Sequence, residues 1–153
     1  MARDPALVPL SHDHHHALAA ARRLRLAAGE PAPGRAAASR TFLDFYQRSL
    51  LPHFREEEEL VFPLLVEAAP TVPDILARVL VDHVQIHGLL LRLRRALDEG
   101  GDLAGDMQEI AKRLESHIRL EERELFPLIE EVVPAPALAE LTLPPQRRDP
   151  SRP

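Results

Sequence analysis

The stretch that determines the architecture of this chain is His53-Phe-Arg-Glu-Glu-Glu-Glu-Leu-Val-Phe-Pro63, which recurs as His117-Ile-Arg-Leu-Glu-Glu-Arg-Glu-Leu-Phe-Pro127. The aligned pairs are His53/His117, Glu57/Glu121, Glu58/Glu122, Phe62/Phe126 and Pro63/Pro127. Each copy places a histidine and a glutamate four residues apart, so that on a helix both side chains lie on one face, one turn apart. An imidazole and a carboxylate held side by side can bind a metal ion. Two such helices facing each other therefore predict a site with two histidines and two glutamates.

The composition favours helices packed on helices. The chain has 153 residues, of which 45% are hydrophobic and 28% are charged, enough for one domain with its own core. Leu, Ala, Glu and Arg dominate, Trp is absent and aromatic residues are few. Because there is no cysteine, disulfides, thiolate metal sites and cysteine-based catalysis are excluded.

Charge and hydropathy also narrow the range of partners. The formal net charge is −5 and no basic block occurs, so nucleic acid is not an expected partner. No apolar run reaches the roughly 18 residues that a membrane span needs. The first residues lack an apolar signal core, and we therefore expect a cytoplasmic protein.

The apolar spacing predicts four amphipathic helices, at about residues 9–28, 35–67, 74–99 and 102–133. Pro- and Gly-containing segments separate them and end each helix. Such short connections force neighbouring helices to be antiparallel. The sequence therefore predicts an all-α, up-down-up-down four-helix bundle.

Two local features refine this prediction. Ser11 is the expected N-cap of the first helix. Pro52 and Pro63 lie inside the second helix and should kink it, because each removes a backbone donor.

The expected domain organisation is a bundle over residues 1–133 followed by a Pro-rich tail over 134–153. The tail is expected to be extended or disordered. It could lie on the bundle through Leu138, Leu141 and Leu143.

Seven polar side chains fall on otherwise apolar helix faces: His14, His53, Glu57, His83, His87, His117 and Glu121. At a rise of about 1.5 Å per residue, the distances of these residues from one common end of the bundle agree to within about one helical turn. We therefore expect them to converge in the core. Buried carboxylates without partners would each cost several kcal/mol. No Lys or Arg lies on the inner faces at this level, so a bound cation is the simplest way to satisfy them.

The ligand types indicate which cation. Seven nitrogen and oxygen ligands exceed the four that zinc usually takes. Five imidazoles and two carboxylates suit a pair of transition-metal ions with the carboxylates bridging. Imidazole and carboxylate without thiolate favour iron, with manganese or zinc as substitutes.

The order of the motifs resembles the hemerythrin-like (HHE cation-binding) family. That family has a His on the first helix, His-x-x-x-Glu on the second, His-x-x-x-His on the third and His-x-x-x-Glu/Asp on the fourth. The resemblance covers about residues 9–133, and the matching positions are His14, His53/Glu57, His83/His87 and His117/Glu121.

The resemblance implies a four-helix bundle around a non-haem di-iron centre. In it Glu57 and Glu121 would bridge the irons, His14 and His53 would bind one iron, and the other three histidines would bind the second. It also implies a small-molecule partner such as dioxygen, peroxide or nitric oxide.

The first helix offers more than one candidate ligand. His12, His14, His15 and His16 lie close together, and His14 is preferred because it shares a face with apolar residues. His15 is the alternative, although its face also carries Arg22. Most of the other glutamates are expected on a solvated face; they are Glu56, Glu58, Glu59, Glu122 and Glu124. Tyr46 is expected to pack in the core rather than to hydrogen-bond a ligand.

Two functions from different classes compete. The first is a di-iron protein that handles dioxygen or a related oxidant, with which weak peroxidase-type activity is compatible. The second is an iron- or oxygen-responsive sensor that acts through an unidentified protein partner. A ferritin-type oxidase would need Glu-x-x-His motifs, which are absent. Iron–sulfur repair proteins of this kind carry an N-terminal cysteine, also absent. Without a separate nucleophile or phosphate loop, we predict a binding protein rather than an enzyme with a defined reaction.

Overall fold

A computed structural model of the chain describes residues 2–143, and all regular secondary structure in that range is helical. This confirms the all-α class. The elements are α1 (Val8–Ala27), α2 (residues 32–68), α3 (Asp74–Glu99), α4 (residues 104–132) and the short α5 (Ala135–Ala139). Helix α2 consists of Ala32–Phe45, Tyr46–Leu50, Leu51–Glu56, Glu57–Val61 and Phe62–Ala68, and α4 of Ala104–Leu120, Glu121–Leu125 and Phe126–Val132.

The four long helices form an antiparallel bundle, as the short connections predicted. Helix α1 packs against α2 and α4, and α3 packs against the same two helices, which closes the ring. The apolar core has two clusters, one around Phe42, Leu93 and Met107 and the other around Leu10 and Leu125. On each helix the buried histidines and glutamates lie between the residues of one cluster and the residues of the other. The fold therefore contains a polar layer across its middle.

The helix ends differ slightly from the predicted ones. Helix α1 begins at Val8, because the carbonyl of Asp4 accepts hydrogen bonds from the N–H groups of Leu7 and Val8. The prediction of Ser11 as the N-cap is therefore wrong, and its hydroxyl instead donates to Glu122 at 2.7 Å. Helix α3 has the predicted bounds and ends at Glu99, and the φ of 70° at the following Gly100 is left-handed.

Three π-helical turns interrupt α2 and α4, and each ends two residues before a proline. They are Tyr46–Leu50, Glu57–Val61 and Glu121–Leu125, ahead of Pro52, Pro63 and Pro127. In an α-helix a proline ring would clash with the carbonyl four residues earlier. The wider turn relieves this clash, and the N–H of Phe62 bonds the carbonyl of Glu57, five residues back. The interruptions predicted at Pro52 and Pro63 therefore take the form of π turns.

The chain beyond α4 partly covers one end of the bundle. Helix α5 replaces the extended conformation expected there, and Leu138 on it is buried in the same cluster as Leu10. Leu141 and Leu143 pack against this cluster as well, as the sequence suggested. The remaining tail, residues 144–153, lies outside the described residues, and the division into 1–133 and 134–153 stays a prediction.

Candidate metal centre

Six of the predicted side chains meet in the polar layer, where they form two groups of four that could each hold a metal ion. The groups are His14, His53, Glu57 and Glu121, and Glu57, His83, His117 and Glu121. In each group the potential ligand atoms lie within 4.8 Å of one another. Both groups contain the same two glutamates, so the two candidate positions adjoin and share their carboxylates.

The repeated His-x-x-x-Glu motifs supply the contacts within α2 and α4. Nε2 of His53 lies 3.2 Å from Oε1 of Glu57, and Nε2 of His117 lies 3.3 Å from Oε2 of Glu121. These distances show that the four-residue spacing holds each imidazole beside its carboxylate, as expected on one helix face.

The other two helices add one histidine each from the opposite sides. Nε2 of His14 on α1 lies 3.1 Å from Oε2 of Glu121. Nε2 of His83 on α3 lies 3.5 Å from Oε2 of Glu57. Each carboxylate therefore faces histidines from its own helix and from a neighbouring helix.

The six side chains are almost completely buried, with Glu57 and Glu121 at 0% exposure. Among residues 2–143, nothing donates a hydrogen bond to the four carboxylate oxygens of this pair, nor to Nε2 of His83 or His117. Unsatisfied polar atoms at such depth are costly, and ionised carboxylates most of all. Cations bound between the carboxylates and the imidazoles would satisfy all of these atoms, so the donor set fits a metal centre.

An outer ring of acidic side chains faces the Nδ1 atoms of the same four histidines. The Nδ1···O distances are 2.7 Å for His14–Glu122, 3.3 Å for His53–Asp13, 2.6 Å for His83–Glu58 and 3.7 Å for His117–Asp82. A neutral imidazole that donates its Nδ1 proton outward has its Nε2 lone pair free on the inner side. The outer carboxylates of Glu122, Asp13 and Glu58 thus orient three of the rings for metal binding, whereas Nδ1 of His117 is too far from Asp82 for a hydrogen bond.

The family comparison agrees with this geometry. The chain matches the model described as Hemerythrin HHE cation binding domain over residues 7–129. This chain belongs to the hemerythrin HHE family. Comparison with curated proteins and with solved structures gives no significant match. Over the described part of the chain, no helix has the length and apolar character that crossing a membrane requires.

The HHE domain has an internal two-fold pattern that extends beyond the repeated motif. The dipeptide Asp13-His14 on α1 corresponds to Asp82-His83 on α3, just as α2 corresponds to α4. The aspartate of each dipeptide faces the motif histidine of the next helix, His53 or His117. Phe126 stacks on the ring of His14, and its counterpart Phe62 stacks on that of His83. These aspartate and phenylalanine contacts are therefore repeated in the two halves.

Electrostatics show how the HHE domain balances its buried charge. Burial raises the pKa of Glu57, but the charge of His53 and the nearby imidazoles of His14 and His83 hold it well below its usual value. Burial lowers the pKa of His83, yet the buried carboxylates of Glu121 and Glu57 beside it raise that pKa to about 10. The two glutamates thus favour the protonated forms of His14, His53 and His83, and a metal ion that binds to these imidazoles must displace protons.

His14 is the histidine of α1 that enters the centre. It is 2% exposed and lies in one of the two groups, whereas His12, His15 and His16 are exposed. The preference for His14 over His15 thus agrees with the packing.

His87 is the one predicted ligand that lies outside both groups. It is half-buried, and its Nδ1 lies 2.6 Å from the hydroxyl of Tyr46, which the sequence had suggested for core packing only. Burial, followed by the charge of His83, lowers the pKa of His87. In the two-fold pattern Leu18 occupies the position equivalent to His87, and Ile110 occupies the position equivalent to Tyr46. The Tyr46–His87 pair therefore has no counterpart in the other half, and the two halves of the centre are unequal.

The outer glutamates had no role in the prediction from sequence. Glu58 is on the surface as expected, and Glu122 is partly covered, but the carboxylate of each forms a hydrogen bond with Nδ1 of a histidine in the polar layer. Glu56, also expected on the surface, is 8% exposed, so that expectation is wrong. Two features of the sequence could have indicated this role of the outer glutamates. One is the alignment of Glu58 with Glu122, each next to an inner glutamate, and the other is the repeated Asp-His dipeptide.

Proposed function

We propose that this hemerythrin-like protein binds two non-haem iron ions and uses them to handle or sense dioxygen or a related small oxidant such as peroxide or nitric oxide. The observation that carries the proposal is the pair of four-residue groups that share Glu57 and Glu121 in the buried layer. Shared carboxylates between two sets of imidazoles suit two ions better than one.

The proposed ligands follow this grouping. His14 and His53 would hold one iron and His83 and His117 the other, with Glu57 and Glu121 shared between the two positions. His87 is the proposed seventh ligand, on the His83 side. It lies one helical turn from His83, and because its Nδ1 faces Tyr46, its Nε2 is the atom available for a metal.

Iron is the proposed metal because the donor set is rich in imidazole and carboxylate and contains no sulfur. Manganese or zinc are possible substitutes at the same donors. When bound, an iron pair supplies redox chemistry and open coordination positions for a small oxidant.

The chain's own residues prepare the site for that chemistry. The outer carboxylates, such as Glu58 and Glu122, accept the Nδ1 protons and fix the ring orientations. Stacked phenylalanines and the two apolar clusters exclude bulk water from the layer. The domain contributes binding and orientation, and we propose a binding protein rather than an enzyme with a defined substrate.

A regulatory role is the alternative proposal. The polar layer draws its residues from all four helices, so metal binding or loss acts on the whole bundle. Because metal binding of this kind is coupled to folding, iron or oxygen status can change the stability of the domain. In that case a protein partner would respond to the change in stability.

The cytoplasmic location of the protein also stays a prediction.

The first experiment is elemental analysis of the purified protein together with its optical spectrum in air. We expect about two irons per chain and near-ultraviolet charge-transfer bands typical of a bridged ferric pair. Titration with peroxide and nitric oxide then tests the oxidant role. One zinc ion, or no metal in a protein whose stability is unaffected by chelator, would contradict the proposal.

A further inference from the structure

Arg3 lies outside the polar layer but touches both groups that hold the ring of His14. Its Nη2 donates to Oε2 of Glu122 at 2.7 Å and to the backbone carbonyl of Glu122 at 2.9 Å. Its guanidinium carbon lies 5.2 Å from the centre of the Phe126 ring, within the roughly 6 Å at which a cation–π contact forms. Glu122 contacts Nδ1 at the edge of the His14 ring, and Phe126 stacks on the face of that ring. Arg3 therefore supports His14 from two directions.

Both carboxylate oxygens of Glu122 are engaged. Oε1 lies 2.7 Å from Nδ1 of His14 and accepts a hydrogen bond from the hydroxyl of Ser11, also at 2.7 Å. Oε2 pairs with Arg3, which in addition bonds the backbone carbonyl of the same glutamate. The Glu122 side chain therefore has little freedom to rotate away from His14. A carboxylate fixed in this way also fixes the imidazole that it contacts.

The segment that carries Arg3 is itself attached to the bundle. Nη1 of Arg3 lies 3.1 Å from Oε2 of Glu130, and the N–H of Asp4 donates to Oε1 of Glu130 at 2.7 Å. Leu7 is completely buried in the core. The side chain of Arg3 is 19% exposed, so its ion pairs are partly shielded from water. Residues 3–7 therefore form a strap between α1 and α4, which we call the Arg3 strap.

The other half of the domain has no equivalent of this network. Apolar residues occupy the positions that correspond in the two-fold pattern to its polar members: Val72 for Arg3, Leu80 for Ser11 and Val66 for Glu130. None of these three apolar side chains can form a hydrogen bond or an ion pair. Glu58, the counterpart of Glu122, therefore contacts His83 without help from these positions. The network thus distinguishes the His14 side of the centre from the His83 side.

We propose that Arg3 is a positioning residue of the metal centre, which acts mainly through Glu122 to set the orientation of the His14 ring and so strengthens ion binding on the His14 side. This inference rests on the proposed two-ion centre. It assigns to the Arg3 strap an effect on one of the two ions, because the other side lacks the network. A strap that only stabilised the fold would affect both ions alike or neither.

The test is a competition titration of the full-length, metal-free chain with Co²⁺ against a chromophoric chelator, with the visible spectrum recorded at each step. Co²⁺ accepts imidazole and carboxylate ligands, and its visible bands respond to ligand geometry. His14→Ala and His83→Ala identify which binding step belongs to which side.

Arg3→Gln should weaken the His14 step by about tenfold, the lower end of the effect of losing an outer partner, and should change the spectrum of that step. The His83 step should keep its affinity. Arg92→Gln is the matched control, because Arg92 also pairs with a carboxylate, that of Asp106, but does so outside the polar layer. Both steps should be unchanged in this control.

A double-mutant cycle separates positioning from fold stability. If Arg3 acts mainly through Glu122, then adding Arg3→Gln to a Glu122→Gln chain should have only a small further effect on the His14 step. Urea unfolding of the metal-free variants measures the stability that each change removes. Met107→Ala, in the apolar cluster that does not contain Phe126, should lower the stability more than Arg3→Gln and leave both Co²⁺ affinities unchanged.

The outcomes separate this inference from the proposed centre. Two bound Co²⁺ ions with affinities and spectra unchanged by Arg3→Gln would overturn the inference and leave the two-ion centre intact. Equal losses at both steps, or additive effects in the cycle, would do the same. One Co²⁺ ion or none bound by the unmodified chain would overturn the two-ion centre and the inference together.

Discussion

Nδ1 of His83 on α3 lies 2.6 Å from Oε1 of Glu58 on α2, so a carboxylate outside the polar layer holds an imidazole within it. The corresponding contact joins His14 on α1 to Glu122 on α4 at 2.7 Å. Both contacts cross between helices, so the assembled bundle fixes the ring orientations before any ion binds. The outer glutamates should therefore control metal affinity without touching the metal.

Glu58→Ala and Glu122→Ala should each weaken metal binding by about 10- to 100-fold, the usual effect of losing an outer partner of a ligand histidine. The measurement is a competition titration against a chromophoric chelator. Glu59→Ala is the matched control, because Glu59 is the next residue on α2 and is exposed. Equal affinities of the Glu58 and Glu59 variants would show that the outer contact does not orient the ligand.

Metal binding should release protons, since the pKa of His83 is raised to about 10 and a ligand imidazole must be deprotonated. Affinity should therefore increase as the pH rises from 6 towards 9. Titration calorimetry at pH 7 in buffers of different ionisation enthalpy measures the release directly. A binding heat that is the same in every buffer would contradict the raised pKa.

The same shift predicts the opposite trend for the stability of chelator-treated protein. Because the folded-state pKa of His83 lies above its ordinary value of 6.5, its protonated form stabilises the fold fully below about pH 6.5. This contribution should disappear as the pH rises through about 10. Urea unfolding of chelator-treated protein at several pH values checks the trend.

Metal removal should lower the unfolding temperature by about 8–16 °C. This follows from about 4 kcal/mol of stabilisation at a metal concentration 1,000 times the Kd, with 2–4 °C per kcal/mol for a domain of this size. The double variant Glu57→Gln/Glu121→Gln should show almost no difference with and without chelator, because it lacks the buried carboxylates that need a cation. A similar chelator effect in this variant would place the stabilising metal elsewhere.

The histidines and glutamates that meet in the polar layer could be predicted because their signal is local. The four-residue spacing of His53/Glu57 and His117/Glu121, set within apolar stripes, is a property of one helix at a time. The roles of Glu58 and Glu122 could not be predicted in this way. Each lies at the outer edge of its own helix, and the histidine that it contacts belongs to a neighbouring helix, so only the packing reveals the contact.

The π turns are the second reason why the prediction was incomplete. A projection at a constant angle per residue assumes an uninterrupted α-helix, and each π turn inserts extra backbone that shifts every later face. The turn Tyr46–Leu50 comes before His53, so the angle between Tyr46 and His53 about the helix axis is not that of a regular α-helix. Its contact with His87 followed from neither periodicity nor composition.

Replacing Pro63 and Pro127 together with alanine should let both π turns relax to regular α-helix, because alanine restores the missing donor and removes the ring clash. This rotates Glu57 and Glu121 relative to the segments that follow them. We expect metal affinity to fall by about tenfold or more, as for other changes in ligand orientation, while the unfolding temperature of chelator-treated protein does not decrease. Pro70→Ala in the α2–α3 connection is the control. Unchanged affinity would show that the π turns do not position the carboxylates.

His87→Ala should have a different effect from His83→Ala. His83 lies in one of the two groups and faces both carboxylates, so its loss should remove most of the metal from that side. His87 lies outside the groups and is held by Tyr46, so its loss should leave the metal content nearly intact. It should open one coordination position instead, which azide titration would detect as a changed absorption spectrum and tighter azide binding.

A spectrum and azide affinity identical to those of the unmodified protein would exclude His87 as the seventh ligand. Metal loss as large as that of His83→Ala would show instead that His87 is as essential as the residues of the two groups.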